Sequence, residues 1–215
     1  MLGKFVFKLF ITINKWFPPW KLILTHYVLM DRLETKVNVV LVFGDVPGNA
    51  TNHLFRQIAL TLKAGLAEKV LINGLEAKEE FGQSAMEWRS KLSGFKVPEE
   101  RILEFPPARN TFDEAKEMVL YAKQEGWRTA VILAQPHRLV RCLRCLIKAM
   151  EKHNHKLDIY FIYPKCDLSE KTAGSQNLFF MKRYLWIGWE NSVFHSLYYR
   201  LPSFKKSVTY LENRK

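Results

Sequence analysis

Residues 37–43 read V-N-V-V-L-V-F and end at Gly44, and this short stretch decides the fold class. An apolar, β-branched run of this length is typical of a strand that is buried on both faces of a parallel sheet. Residues 129–134 read T-A-V-I-L-A and predict a second strand of the same kind. Strands of this type need helices on each face, so the two runs predict an α/β fold.

Strand-like and helical segments alternate around these two runs. Further strands are predicted at Lys69 to Ile72, Arg101 to Glu104 and Asp158 to Tyr163. The predicted helices cover residues 52–65, 79–92, 112–124 and 137–152. Five strands alternating with helices predict a Rossmann-like, doubly wound, mostly parallel sheet with helices on both faces.

The charge distribution divides the chain into a central domain and two basic flanks. Residues 37–165 form the predicted α/β domain. Residues 1–36, with six basic and two acidic residues, are expected to be a basic and aromatic helical extension. Residues 166–215, with eight basic and four acidic residues, are expected to hold an aromatic helix that packs on the body, followed by a basic tail.

The formal net charge of +12 indicates an anionic partner. A protein that binds a nucleic-acid duplex more often concentrates its basic residues on one element of the folded centre. The distribution therefore argues against nucleic acid as a partner, and the flanks favour peripheral association with an anionic membrane. No run approaches the roughly 20 apolar residues that a spanning helix needs. We expect a cytoplasmic protein, with membrane-peripheral association left open.

The cysteines favour a reducing compartment. Cys142, Cys145 and Cys166 are too few for a disulfide framework. Cys142 and Cys145 form a C-x-x-C pair without a second pair, so we expect core cysteines. The histidines show no ligand spacing, and no metal site is predicted.

Polar segments follow four of the predicted strands at their carboxyl ends. In strand order they contain Gly44 and Asp45, then Asn73 and Gly74, then Arg109, Asn110 and Thr111, then His137 and Arg138. Ligands of open α/β sheets bind beyond the carboxyl ends of the strands. The four segments are therefore predicted to meet in one pocket.

The predicted helix after the fourth strand carries basic side chains near its N-terminus, where positive charge does not stabilise a helix. His137 and Arg141 lie four residues apart and share a face. The helix dipole opposes positive charge at this end, whereas a bound phosphate or carboxylate would pair with both side chains. The alternative is a solvated basic face. Thr111 and Glu114 fit a capping box, and capping alone would explain both residues.

These segments, in this order, resemble the YdcF/SanA/ElyC-like family, a bacterial family of largely unassigned biochemistry. The resemblance runs from about Asn38 to Pro164. The matching motifs are Val42-Phe43-Gly44, Arg56 with Ala59, Ile72-Asn73-Gly74, Asn110 to Ala115, and His137 with Arg138 and Arg141. Leu75 departs from the family pattern, which has a second glycine there, and Asp113-Glu114 stands where Glu-Asn is usual.

The resemblance implies a Rossmann-like sheet and a small anionic or nucleotide-like ligand. It also implies S-adenosylmethionine as a candidate cofactor, and roles in cell-envelope maintenance or lipid-carrier metabolism. No cofactor is indicated by the residues themselves.

Two hypotheses follow. In the first, the pocket binds a small anionic ligand and acts as a hydrolase or transferase, with His137 as the proton-transfer group and Asp45 as its partner. Its ligand-binding residues would be Gly44, Asn73, Gly74, Arg109, Asn110, Thr111, Glu114, Arg138 and Arg141. In the second, the protein is a non-catalytic, membrane-peripheral envelope-maintenance protein whose flanks carry the function.

Overall fold

The structure is a computed structural model that describes residue 33 and residues 35–43, 50–76, 84–134, 136–162 and 201–214. Its elements are β1 (Val37–Val42), α1 (Ala50–Lys63), β2 (Ala67–Asn73), α2 (Ala85–Gly94), β3 (Ile102–Phe105), α3 (Thr111–Gln124), β4 (Thr129–Leu133), α4 (Pro136–His153), β5 (Asp158–Ile162) and α5 (Phe204–Glu212). The predicted alternation is confirmed. The second helix begins at Ala85 rather than near Glu79, because Ser84 caps it in extended conformation.

Among the described residues, five strands form one sheet in the order β3-β2-β1-β4-β5, and every pairing is parallel. Val40 of β1 pairs with Val70 on one side and Val131 on the other, so β1 is central. The chain builds β2 and β3 on one side of β1 and then crosses to β4 on the other. This order confirms the Rossmann-like prediction and puts the topological switch between β1 and β4.

Both faces of the sheet are covered by helices. On one face, α1 and α2 pack against the sheet through a cluster that includes Phe55, Ile58, Trp88 and Leu92. On the other face, α3, α4 and α5 form a second cluster that includes Met118, Leu139, Leu146, Val208 and Leu211. Alternate residues of β1 serve the two clusters, as a strand buried on both sides requires.

Two glycines end the helices that lead back into the sheet. Gly65 follows α1 and Gly126 follows α3, and each has a φ of 69°, in the left-handed region that a side chain disfavours. Their amides donate to carbonyl groups of the preceding helical turn. Each glycine therefore stops its helix and turns the chain toward the next strand.

Helix α5 covers the outer edge of β5. The Tyr210 hydroxyl accepts a hydrogen bond from the Ile159 amide at 3.1 Å and donates one to the Leu157 carbonyl. Arg214 Nη1 donates to the Ile159 carbonyl at 2.8 Å. These side chains satisfy backbone groups that an edge strand otherwise leaves open to another chain.

The flanking predictions fall mostly outside the described residues. Residues 1–32 and 163–200, which include the predicted aromatic helix, are not described. Part of the segment expected to be a basic tail is helical, as α5 shows. Within the described part of the chain, no helix combines the length and apolarity needed to cross a membrane.

Candidate functional site

The switch point brings the first turns of two helices together at the carboxyl-terminal edge of the sheet. Helix α4 begins at Pro136, shortly after β4, and α3 begins at Thr111 on the same face. Arg138 Nη2 in α4 lies 4.0 Å from Glu114 Oε2 in α3. The segments that follow β3 and β4 therefore approach each other at the edge beyond which α/β sheets bind ligands, and the predicted pocket itself stays a prediction.

Asn73 ends β2 and ties it to the loop before α3. Its side chain is buried, donates to the Ala108 carbonyl at 2.6 Å and accepts from the Ala108 amide at 3.1 Å. Asn73 Nδ2 also lies 3.5 Å from Glu114 Oε1. The side-chain amide of Asn73 thus forms the two hydrogen bonds to Ala108 that a neighbouring backbone segment would otherwise form. In these contacts it positions the loop before α3 and Glu114.

Asn110, and not Thr111, caps α3. The Asn110 side-chain carbonyl accepts from the amides of Phe112 and Asp113, each at 3.0 Å, and its amide donates to Asp113. The capping box that would have explained Thr111 and Glu114 without a ligand therefore does not form. With the cap one residue earlier, Thr111 is the first helical residue, and Asp113 rather than Glu114 stands three residues after the cap.

A capping box does form at the start of α2. Ser84 accepts from the Glu87 amide and Glu87 accepts from the Ser84 amide, each at 3.2 Å. The motif S-A-M-E carried this signal, which the sequence reasoning did not use. At the start of α3, by contrast, the capping side chain is that of Asn110, and no capping box that includes Glu114 is present.

Glu114, at 5% exposure, is the one buried acid among the residues that the structure describes. It faces Arg138, whose side chain is also largely buried. A carboxylate at the first turn of α3 is also favoured by the helix dipole. The pair forms the centre of a polar cluster, called here the Glu114–Arg138–Arg141 cluster.

Arg141 is the third member and the second cation. Burial lowers the pKa of its guanidinium below the usual range, Cys142 opposes this shift, Arg138 adds to it, and Glu114 has the smallest effect of these neighbours. The Nε atom of Arg141 is buried and has no hydrogen-bond partner among the described residues. Glu114 therefore pairs with Arg138 and acts on Arg141 only as a weaker nearby charge.

Arg144, one turn further along α4, has a different function. It is 2% exposed, donates from Nε to the Pro202 carbonyl at 2.9 Å and packs 4.2 Å from the centre of the Phe204 ring. Burial lowers its pKa to about 10. Arg144 anchors the C-terminal segment to the body and does not belong to the cluster.

Several predicted residues are placed differently or lie outside the described residues. Gly44 and Asp45 are not described, and for His137 only the backbone position in α4 is described, so their predicted roles stay predictions. Arg109 is exposed beside the loop. Gly74 donates its amide to the Phe105 carbonyl at 2.9 Å, and a Cβ atom there would lie 2.5 Å from that oxygen. Close packing against β3 is thus sufficient to explain this glycine.

Cys142 and Cys145 are fully buried on the apolar side of α4. Burial raises the pKa of the Cys145 thiol far above its usual range. These facts confirm that both are core residues. No group of His, Cys, Asp and Glu side chains within the described ranges has the arrangement of a metal site.

No family model, curated protein or solved structure matches this chain. The geometry of the described residues therefore carries the functional argument.

Proposed function

We propose that this chain is a YdcF-like α/β domain that binds a small anionic ligand between the first turns of α3 and α4. The observation that carries the proposal is the Nε–H group of the half-buried Arg141, which is buried, lies one turn from Arg138 along α4 and has no partner among the described residues. The position of Arg141 near the start of α4 supports the proposal, because ligands of α/β sheets bind next to the topological switch point, which lies between β1 and β4.

The energetic reasoning starts from the cost of burying charge. A buried guanidinium needs a counter-charge and hydrogen-bond acceptors, and a group left without them destabilises the fold by several kcal/mol. Glu114 lies 4.0 Å from Arg138, and no ion pair between Glu114 and Arg141 is present among the described residues. A bound phosphate or carboxylate would accept the hydrogen bond of the Arg141 Nε–H group, and such charge-assisted bonds are short and strong.

The range of ligands in the proposal follows from this chemistry and from the resemblance. Phosphate esters, nucleotides and S-adenosylmethionine, through its carboxylate, all carry an anionic group that two guanidinium groups can bind. Isoprenoid phosphates belong to the same set, because the resemblance implies lipid-carrier or cell-envelope metabolism. The proposal takes the shared anionic group as the recognised feature.

The proposal extends to catalysis as hydrolase or transferase chemistry on the bound phosphate ester. His137, in the first turn of α4, would transfer the proton, and Asp45 after β1 would be its partner. The His137→Gln variant should keep ligand binding and lose turnover of a phosphate ester. Wild-type turnover by this variant would contradict the catalytic role of His137 and would leave the binding proposal unchanged.

The binding proposal is tested with a thermal-shift screen of nucleotides, S-adenosylmethionine and isoprenoid phosphates against the full chain. A ligand at about 100 times its Kd should stabilise the native state by about 2.7 kcal/mol. For a chain of this size, that corresponds to a rise in Tm of roughly 5–10 °C. The Arg141→Met variant keeps much of the aliphatic stem and removes the charge, and it should abolish the rise.

The matched control is Lys152→Met, which removes one positive charge from the exposed last turn of the same helix. It should respond to ligand as the wild type does. The unliganded Arg141→Met protein should be at least as stable as the wild type, because it no longer buries an unsatisfied cation. Equal ligand responses of Arg141→Met and Lys152→Met would contradict the proposal.

A further inference from the structure

The turn between α3 and β4 packs against the turn between α4 and β5. Lys123 Nζ donates a hydrogen bond to the His153 carbonyl at 2.9 Å, and the Asp158 amide donates one to the Arg128 carbonyl at 2.8 Å. The two turns, from Lys123 to Arg128 and from His153 to Asp158, therefore form one contact, called here the basal joint. It lies at the amino-terminal ends of β4 and β5, whereas the candidate anion site lies at the carboxyl ends of the strands.

His155 is buried in the basal joint, with 8% of its surface exposed. Asn154, with a φ of 48°, ends α4, and the His155 amide donates to the Met150 carbonyl at 3.1 Å, which fixes the backbone. The His155 ring hydrogen-bonds to the Trp127 backbone, whereas its Nε2 atom is buried and has no hydrogen-bond partner in the part of the chain that the structure describes. A neutral imidazole can leave Nε2 unprotonated, but a protonated ring would bury a charged N–H group without an acceptor.

The charges around His155 also disfavour its protonated form. Burial lowers the pKa of the ring, the hydrogen bond to Trp127 opposes this shift, and the charges of Arg128 and Lys123 add to it. The acids closest to His155 in the sequence already have basic partners: Glu151 pairs with Lys206 of α5 at 2.7 Å, and Asp158 pairs with Lys156 at 3.6 Å. These pairs therefore add no net negative charge that would favour a cationic ring.

His153 adds a second imidazole to the basal joint. Its Nε2 atom is also buried without a hydrogen-bond partner among the described residues. Burial lowers the pKa of this ring, and three cations lower it further against a smaller opposing effect of Glu117; the cations are Lys152, Lys116 and Lys123. Protonation of either histidine would add positive charge to a joint that is already basic.

We propose that His155, assisted by His153, makes the basal joint an acid-sensitive contact, in which ring protonation loosens the turn after α4 from the turn after α3. Because the folded pKa of each ring is lowered, the unfolded chain binds these protons more tightly. The stability that the neutral rings contribute is therefore complete above about pH 6.5, the ordinary histidine value, and decreases as the pH falls toward the folded pKa values. The proposal does not depend on the anion site.

The first test is an NMR titration of the histidine rings in the full chain, with each ring assigned by its loss in His153→Asn or His155→Asn. The titration midpoint of His155 should be lower in the folded wild type than in the urea-unfolded chain. Arg128→Gln should raise the folded midpoint, because it removes a cation that disfavours the charged ring. The matched control is Lys63→Gln, which removes an equal charge from the exposed last turn of α1 and should leave the midpoint unchanged.

The second test compares the Tm of the wild type and of His155→Asn at about pH 7.5 and about pH 5. The wild type should show the larger fall in Tm, by roughly 3–5 °C for each tenfold difference in proton affinity of His155 between the unfolded and folded chains. Equal falls in the two proteins, or a folded midpoint of His155 at or above the unfolded one, overturn the proposal. If His155→Asn does not fold, the midpoints of the wild type and Arg128→Gln still decide.

Discussion

Replacement of Asn73 by alanine tests how the site is built. The change removes the partner of two buried backbone groups, the amide and the carbonyl of Ala108. Each orphaned buried group costs about 1–3 kcal/mol, so the free energy of unfolding should fall by roughly 2–5 kcal/mol. For a chain of this size, Tm should fall by about 5–15 °C.

The assay is urea and thermal unfolding followed by far-UV circular dichroism. The control is Asn52→Ala, because Asn52 is exposed in α1, and this change should alter stability by no more than about 0.5 kcal/mol. Asn73→Asp should be at least as destabilising as Asn73→Ala, since it replaces the donor to the Ala108 carbonyl with an oxygen. If Asn73→Ala unfolds within 1 kcal/mol of the wild type, on the order of a single ordinary hydrogen bond, Asn73 does not hold the loop.

Three further predictions concern the packing and hydrogen bonding of the fold around the site. Tyr210→Phe opens the edge of β5 and should cost about 1–3 kcal/mol in unfolding free energy, with faster amide exchange on that strand by NMR. Gly74→Ala forces a Cβ against the Phe105 carbonyl and should lower Tm, with a cost of about 1–3 kcal/mol in urea unfolding. Cys142 and Cys145 should resist iodoacetamide at pH 8 in the native state and react in urea, as peptide mass spectrometry would report; rapid native labelling would contradict their burial.

The sheet and its order of elements were predictable because the signal is local. The apolar runs at 37–43 and 129–134 have no alternation, and buried parallel strands produce that pattern. The helix α4 was equally clear from the spacing of Leu139, Leu143 and Leu146. The edge of the sheet where polar segments meet follows from the same topology without side-chain detail.

The structural roles of individual polar residues were less predictable, because these roles depend on contacts between segments that are far apart in the sequence. Thr111 and Glu114 matched a capping pattern, yet Asn110 takes the capping position one residue earlier. Asn73 was expected to line a pocket, and its partner Ala108 is 35 residues away in the chain. A pairwise contact of this kind leaves no local pattern in a single sequence.

Arg141 and Arg144 show the same difficulty on one helix. Both are arginines of α4, separated by one turn, and their spacing in the sequence does not distinguish the half-buried Arg141 from the buried Arg144. Arg144 has a backbone carbonyl and an aromatic ring from a segment almost 60 residues later, whereas the Nε of Arg141 has no partner in the described chain. The helix α5 itself, capped by Ser203, was missed, although Phe204, Val208 and Leu211 have helical spacing.

The most direct measurement of the central claim follows the Nε–Hε signal of Arg141 by ¹⁵N NMR during titration with methyl phenyl phosphate. The signal is assigned by its loss in the Arg141→Met variant. We expect it to move downfield in a saturable way, as an anionic oxygen accepts that proton, while the signals of arginines remote from the cluster, such as Arg101, stay in place. A titration that moves other arginine signals and leaves Arg141 unchanged would show that the cluster is not where the anion binds.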